Sequence, residues 1–279
     1  MPEPTPESPT LEQMLVLEPA GEDRFLARLP GFGGVTLGCA TLAAARTTEL
    51  TLHSLHVYFL RAVPRTEPAL LRVSRVRDGR RFAHRRVEVC EGERVCCELM
   101  ASFAAPGVGA EFEEPERGEA APDPESLPSE EEIARAERWD ALAPGRIGSA
   151  IEWRFIGGTP WQAAPSSRYQ GWARPRVPLS KERVLHVAAL AFLADMQSHM
   201  PIARRIGGPF EPFGYTSLDQ LVWIHREEPW EDWRLVTTVC DVGHGGRAFT
   251  RRNVRTRDGR LLASMAQEML LPAPARGDA

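Results

Sequence analysis

Apolar and polar positions alternate along "RDGRLLASMAQEML" (Arg257–Leu270). An Asp258–Gly259 turn signal is followed by Leu261, Ala263, Met265 and Met269 at every second position. The spacing predicts a strand with these residues on one buried face, and it puts Gln267 on that same face. Strands are also predicted at "SLHVYFLR" (Ser54–Arg61) and "SLDQLVWIHR" (Ser217–Arg226). Two stretches lack alternation and predict helices: "GGVTLGCATLAAART" (Gly33–Thr47) and "SKERVLHVAALAFLADMQSHM" (Ser180–Met200). The second is apolar almost all the way round from Val184 to Met196, and a helix with no polar face is buried on all sides.

These elements recur in the same order. "RRFAHRRVEVCEGERVCCELMASF" (Arg80–Phe103) is echoed by "GRAFTRRNVRTRDGRLLASMAQEM" (Gly246–Met269), matching Phe82 with Phe249, Arg85 with Arg252 and Gly92 with Gly259. Each half reads as a buried helix, a strand ending at Arg61 or Arg226, and two further β-segments joined by a tight Gly turn. A helix enclosed by an antiparallel sheet is the hotdog arrangement, so the expected fold is α+β, a double hotdog. The expected organisation is an N-terminal repeat over 1–106 with a short disordered start. An acidic Pro/Gly-rich linker and short helix follow over 107–139, then a C-terminal repeat over 140–272 carrying the candidate site. Ser129 and Glu132 have capping-box spacing for the short helix.

Composition narrows the function classes. Apolar and charged fractions of 43% and 26% are those of an ordinary globular protein, and no apolar run reaches the roughly 20 residues of a membrane helix. The acidic, proline-rich start has no basic n-region or h-region, so no membrane partner and a cytoplasmic address are expected. A net charge of −4 argues against nucleic acid as a partner. The basic run Arg72–Arg86 is either a solvated twisted hairpin or an anion patch. Cys39, Cys90, Cys96, Cys97 and Cys240 lack metal-ligand spacing and read as reduced, mostly packed thiols. No cofactor and no metal are expected.

Three polar residues sit where the pattern calls for apolar ones. Asp195, flanked by Leu193, Ala194 and Met196, is either turned to solvent near a helix end or held by donors, because an unpaired buried carboxylate costs several kcal/mol. Ser217 has capping-box spacing to Gln220, yet Leu221–Ile224 continues as strand, so an N-cap and a strand-entrance hydroxyl both remain open. Gln267 is either a satisfied core amide or a site residue. A gapless match of the halves puts Met100 opposite Gln267 and a one-residue slip puts Ala101 there; neither is an amide.

"HVYFLR", "DGRRFAHRRVEV", "LVWIHREEPWEDW" and "TRDGRLLASMAQE" together resemble the acyl-CoA thioesterase II family, from about Gly31 to Leu270. The resemblance implies a double-hotdog thioesterase acting on acyl-CoA, assembled as a dimer or larger homo-oligomer. In that family an aspartate on the second hotdog helix, a threonine before the "W-x-H-R" strand and a glutamine on the last strand hold the attacking water. The matching positions are Asp195, Ser217 and Gln267, with Thr216 a competing hydroxyl. Serine at 217 keeps the hydroxyl but loses the methyl that restricts χ1. The resemblance assigns the water's proton to Asp195, its orientation to Ser217 and Gln267, and the oxyanion to backbone N–H groups, often at a helix N-terminus. The first half departs from the family at Val35 and Cys39, so its site is expected to be catalytically dead while its apolar tunnel shapes the acyl pocket. His56 reads there as a packed or strand-surface histidine. Two alternatives are a hotdog acyl-thioester hydratase or dehydratase and a non-catalytic acyl-CoA-binding protein.

Overall fold

The computed structural model describes residues 8–63, 66–114, 120–137, 150–158, 163–207 and 215–271. Residues 1–7 of the expected disordered start, and position 140, where the second repeat is expected to begin, lie outside that range. The first half runs α1 (Leu11–Met14), β1 (Glu18–Pro19), β2 (Arg24–Ala27), α2 (Gly33–Ala45), β3 (Thr51–Phe59), β4 (Ala69–Asp78), β5 (Phe82–Glu91) and β6 (Arg94–Ala104). After a 3-10 turn at Pro124–Ser126 and α3 (Glu130–Glu137), the second half begins with β7 (Ile151–Ile156), β8 (Arg168–Pro175), α4 (Arg183–Asp195) and α5 (Met200–Ile206). It continues with β9 (Thr216–Ile224), β10 (Arg234–His244), β11 (Arg247–Thr256) and β12 (Leu261–Leu270).

Among the described residues the strands form one twelve-stranded sheet in the order β1-β2-β4-β5-β6-β3-β9-β12-β11-β10-β8-β7. The order is symmetric about the antiparallel β3–β9 pair, where Ser54 faces Trp223 and Tyr58 faces Asp219. The two hotdogs are thus joined edge to edge within a single chain. Each encloses one apolar helix, and α2 and α4 share one continuous core with the inner face of the sheet. Leu190, Phe192 and Leu193 are buried there, each contributing about 1.5–3 kcal/mol by leaving water. The helices run antiparallel and close together: a Cβ on Gly34 would lie 2.7 Å from Phe192 O, and one on Gly38 would lie 3.2 Å from Ala188 O. This approach sets the N-terminus of each helix beside the C-terminus of the other, as the Arg46–Glu182 pair at the far end shows.

The double hotdog agrees with the sequence expectation, with four local differences. The second helix is shorter than Ser180–Met200, ending at Asp195 and restarting as α5 with Pro201 in its first turn. Proline is tolerated there and not in a helix interior. Strands β1, β2, β7 and β8 were not anticipated. A β-bulge brings Leu262, rather than Leu261, fully into the core at the start of β12. The linker is docked where described: Glu113 pairs with Arg226 at 2.8 Å and with Arg255, and Trp233 Nε1 donates to Glu125 at 2.9 Å. The expected capping box forms, with Glu132 N donating to Ser129 Oγ at 3.1 Å and Ser129 N to Glu132 Oε2 at 2.7 Å.

The basic run lies on β4, β5 and the turn between them, and four of its seven arginines are paired with acidic side chains. Arg72 pairs with Glu88, Arg75 with Asp23, Arg85 with Asp78 and Arg86 with Glu98. All five cysteines are unpaired and only Cys240 is not fully buried; burial pushes the Cys39 and Cys97 thiols up to about 12, so they stay protonated. Among the described residues no helix is long and apolar enough to cross a membrane, and no cluster suits a metal ion.

Candidate functional site

Asp195 is the last residue of α4 and is 8% exposed, so it does not turn to solvent. Its Oδ1 accepts from Ser217 Oγ at 2.8 Å and from Gln267 Nε2 at 2.8 Å. Gln267 Nε2 also donates to Ser217 Oγ at 2.7 Å, which closes a triangle and fixes the hydroxyl hydrogen on Asp195. The three residues come from a helix end, a strand entrance and a facing strand, 72 residues apart at most. Ser217 opens no helix; it lies in β9 and is partly buried, whereas Thr216 is exposed. Gln267 is 2% exposed and lies with Ala263, Met265 and Met269 on the buried face. Its Nε2 is satisfied, but its Oε1 has no hydrogen-bond partner.

The remaining oxygen of Asp195 faces the other hotdog. A Cβ on Gly33 would lie 2.7 Å from Asp195 Oδ2, so the carboxylate is seated on the first residue of α2. First-turn N–H groups of a helix have no intrahelical acceptor, and the N-cap, Phe32, makes no side-chain capping bond. An uncapped helix N-terminus with its positive dipole end therefore lies against the carboxylate. This contribution from the first half was not anticipated beyond a generic helix N-terminus; the "GFGG" stretch was its only sequence trace.

The backbone carrying Asp195 is held from below by Arg252, which sequence reasoning noticed only as a repeat match. Its guanidinium donates to Leu193 O, to Ala194 O at 3.1 Å, to Met196 O at 2.7 Å and to Thr238 Oγ1 at 2.8 Å. Leu193 O also accepts from the C-cap Met196 N at 3.2 Å, and the guanidinium adds a donor to the carbonyls gathered at the helix C-terminus. Burial pushes Arg252 down to about 10, partly offset by Tyr169 and Asp195, so it stays charged at neutral pH. The next residue, Gln197, adopts φ 53 and its Oε1 accepts from Tyr169 OH, which fixes the turn after the helix. Arg85 has the corresponding task in the first half, donating to Thr47 Oγ1 at 2.7 Å and Thr47 O at 3.0 Å.

The first half carries none of the three groups. Its helix ends at Ala45. Both halves have one bulged residue near the strand entrance, His53 in β3 and Leu218 in β9. The pair before the bulge is Leu52–Phe103 against Ser217–Met269, and the second pair after it is Leu55–Ala101 against Gln220–Gln267. Ala101, 1% exposed, therefore stands opposite Gln267, and Met100 points outward at 40%. His56 lies on the outer face, 3.2 Å from Asp219 Oδ2.

The N-terminal domain of acyl-CoA thioesterases, as a family model, matches residues 28–104, and the C-terminal domain model matches residues 115–271. The chain belongs to the acyl-CoA thioesterase family. Among its relatives in that family, acyl-CoA thioesterase 2 of Haemophilus influenzae is 24% identical over 265 residues, covering 90% of this chain and 91% of the relative. Human acyl-coenzyme A thioesterase 8 is 27% identical over 286 residues, covering 91% and 86%. The solved structure of an acyl-CoA thioesterase II from Mycobacterium marinum superposes with a TM-score of 0.79 at 29% identity, covering 95% of this chain and 99% of that one.

Proposed function

We propose that the protein hydrolyses acyl-CoA thioesters to the free acid and coenzyme A, with Asp195 as general base for an attacking water. The observation carrying this is that one carboxylate oxygen is fixed by Ser217 and Gln267 while the other faces an uncapped helix N-terminus. A thioester carbonyl is already electrophilic, so hydrolysis needs an oriented water, a base and donors for the developing oxyanion. The water oxygen bonds to the carbonyl carbon as Asp195 takes one of its protons. The first-turn N–H groups of α2 hold the oxyanion. The carbonyl re-forms, the C–S bond breaks, and the thiolate of coenzyme A receives the proton from Asp195. No covalent acyl-enzyme is needed, in keeping with the buried, protonated thiols of Cys39 and Cys97.

On this account the first hotdog is not a second active site. It supplies the helix that closes the single site of the other half. Self-association is supported by the outward-facing Tyr58, Met100 and Trp223 on the central strands, each at least 40% exposed, and sedimentation measures it. Thiol release from a panel of acyl-CoAs, run beside hydration of an enoyl-CoA, tests the reaction type. Steady thiol release is the expected result. Hydration without thiol release overturns hydrolysis in favour of a hydratase, and tight binding without turnover overturns catalysis altogether.

A further inference from the structure

Gln220 lies in the middle of β9 and is 1% exposed. It pairs directly with Gln267 on β12 and with Val57 on β3, so its side chain shares their inward face. Its Oε1 has no hydrogen-bond partner, and neither has the Oε1 of Gln267. The large majority of buried side-chain polar atoms in folded proteins are paired. Two orphaned amide oxygens on residues in direct register, one of them anchored through its own Nε2 to Asp195, therefore mark a place built for a donor. The fold does not demand this polarity, because the equivalent pair in the first half, Leu55 and Ala101, is apolar. The polar pair occurs only beside Asp195.

We infer that Gln220 is a further catalytic residue, whose Oε1 accepts the hydrogen that the attacking water does not give to Asp195. A water molecule brings two hydrogens and the site already names one acceptor, Asp195. Asp195 Oδ1 already accepts from two donors, and the two orphaned amide oxygens are buried acceptors with no donor of their own. Gln267 has a fixed orientation because its Nε2 is committed to Asp195 and Ser217; Gln220, from the neighbouring strand, completes the cradle. The assignment rests on the hydrolytic reading above.

The test compares wild type with Gln220→Met, which keeps the length and removes both polar ends, by thiol release from an acyl-CoA and by thermal unfolding. The expected result is a kcat lower by about 10- to 100-fold, a KM within about twofold, and an unchanged or raised Tm, because an unsatisfied acceptor has been removed. An unchanged kcat overturns the assignment. So does a raised KM at unchanged kcat, which places Gln220 on the substrate's pantetheine arm instead. A kcat loss accompanied by a lower Tm also overturns it, since a purely structural amide gives that result. A wild type with no thiol release overturns hydrolysis and this assignment together, whereas a turning-over wild type with an intact Gln220→Met variant overturns this assignment alone.

Discussion

Gly33→Ala asks whether the first hotdog closes the site of the second. The added Cβ would stand 2.7 Å from Asp195 Oδ2, 3.2 Å from Asp195 Cγ and 3.4 Å from Phe59 Cζ. Ordinary contact begins at about 3.4 Å, so the carboxylate must retreat by roughly 0.7 Å, the difference between 3.4 and 2.7. It cannot do so freely, because Oδ1 is bonded at 2.8 Å to both Ser217 and Gln267. A displacement approaching 1 Å at a reacting group costs on the order of 100-fold in rate. Helix propensity acts in the opposite direction, since Ala in place of a helical Gly is worth about 0.5–1 kcal/mol at best. The expected phenotype is thus a kcat about 100-fold lower with a Tm within a few degrees of wild type, measured by thiol release and thermal unfolding. A Gly33→Ala enzyme with wild-type kcat refutes the placement of the α2 N-terminus against Asp195.

Three further outcomes follow from other parts of the structure. Ser217→Ala removes the hydroxyl that donates to Asp195 and accepts from Gln267, so kcat should fall about 10- to 1,000-fold, and Ser217→Thr should retain most activity. Arg252→Met removes the guanidinium donor shared by the carbonyls of Leu193, Ala194 and Met196, leaving Leu193 O only its bond from Met196 N; unfolding should show a loss of about 3 kcal/mol, near 6–12 °C in Tm. Burial, with Glu131 beside it and Arg176 partly offsetting both, pushes the Glu130 carboxyl from 4.5 up to about 8. Between those values the unfolded chain ionises while the folded one holds its proton, so stability falls as pH rises from 4.5 to about 8. Glu130→Gln should therefore raise Tm relative to wild type at pH 9 and change it little at pH 4; equal effects at both would show that Glu130 is not buried as a neutral acid.

How much of this was legible in the sequence can be judged residue by residue. Alternation placed Gln267 on a buried face because the pleat has a fixed period of two, and a run without polar positions marked α4 because a helix buried all round needs none. The repeat match found both arginines that hold a helix end, but paired them two residues out of structural register: Thr250, not Arg252, faces Gln267 as Arg85 faces Ala101. The β11–β12 connection is longer than the β5–β6 one, and a gapless match cannot see that. Strand β1 has only two residues and β2 four, too short for periodicity to register. Gly33 left no trace beyond the "GFGG" stretch, for a different reason. Its role comes from the antiparallel packing of two helices 150 residues apart in the chain, roughly, and no local pattern encodes that contact. Gln220 was equally hidden, because an orphaned acceptor is visible only once its neighbours are known.

The central claim is that Asp195, held by Ser217 and Gln267, activates the water that cleaves an acyl-CoA. It is tested most directly by single-turnover thiol release with enzyme in excess, comparing wild type with Asp195→Asn, whose amide fills nearly the same volume but is no base. Rapid release by wild type is expected, with a rate lower by about 100-fold or more in the variant and acyl-CoA binding retained. Equal rates in the two proteins would contradict it.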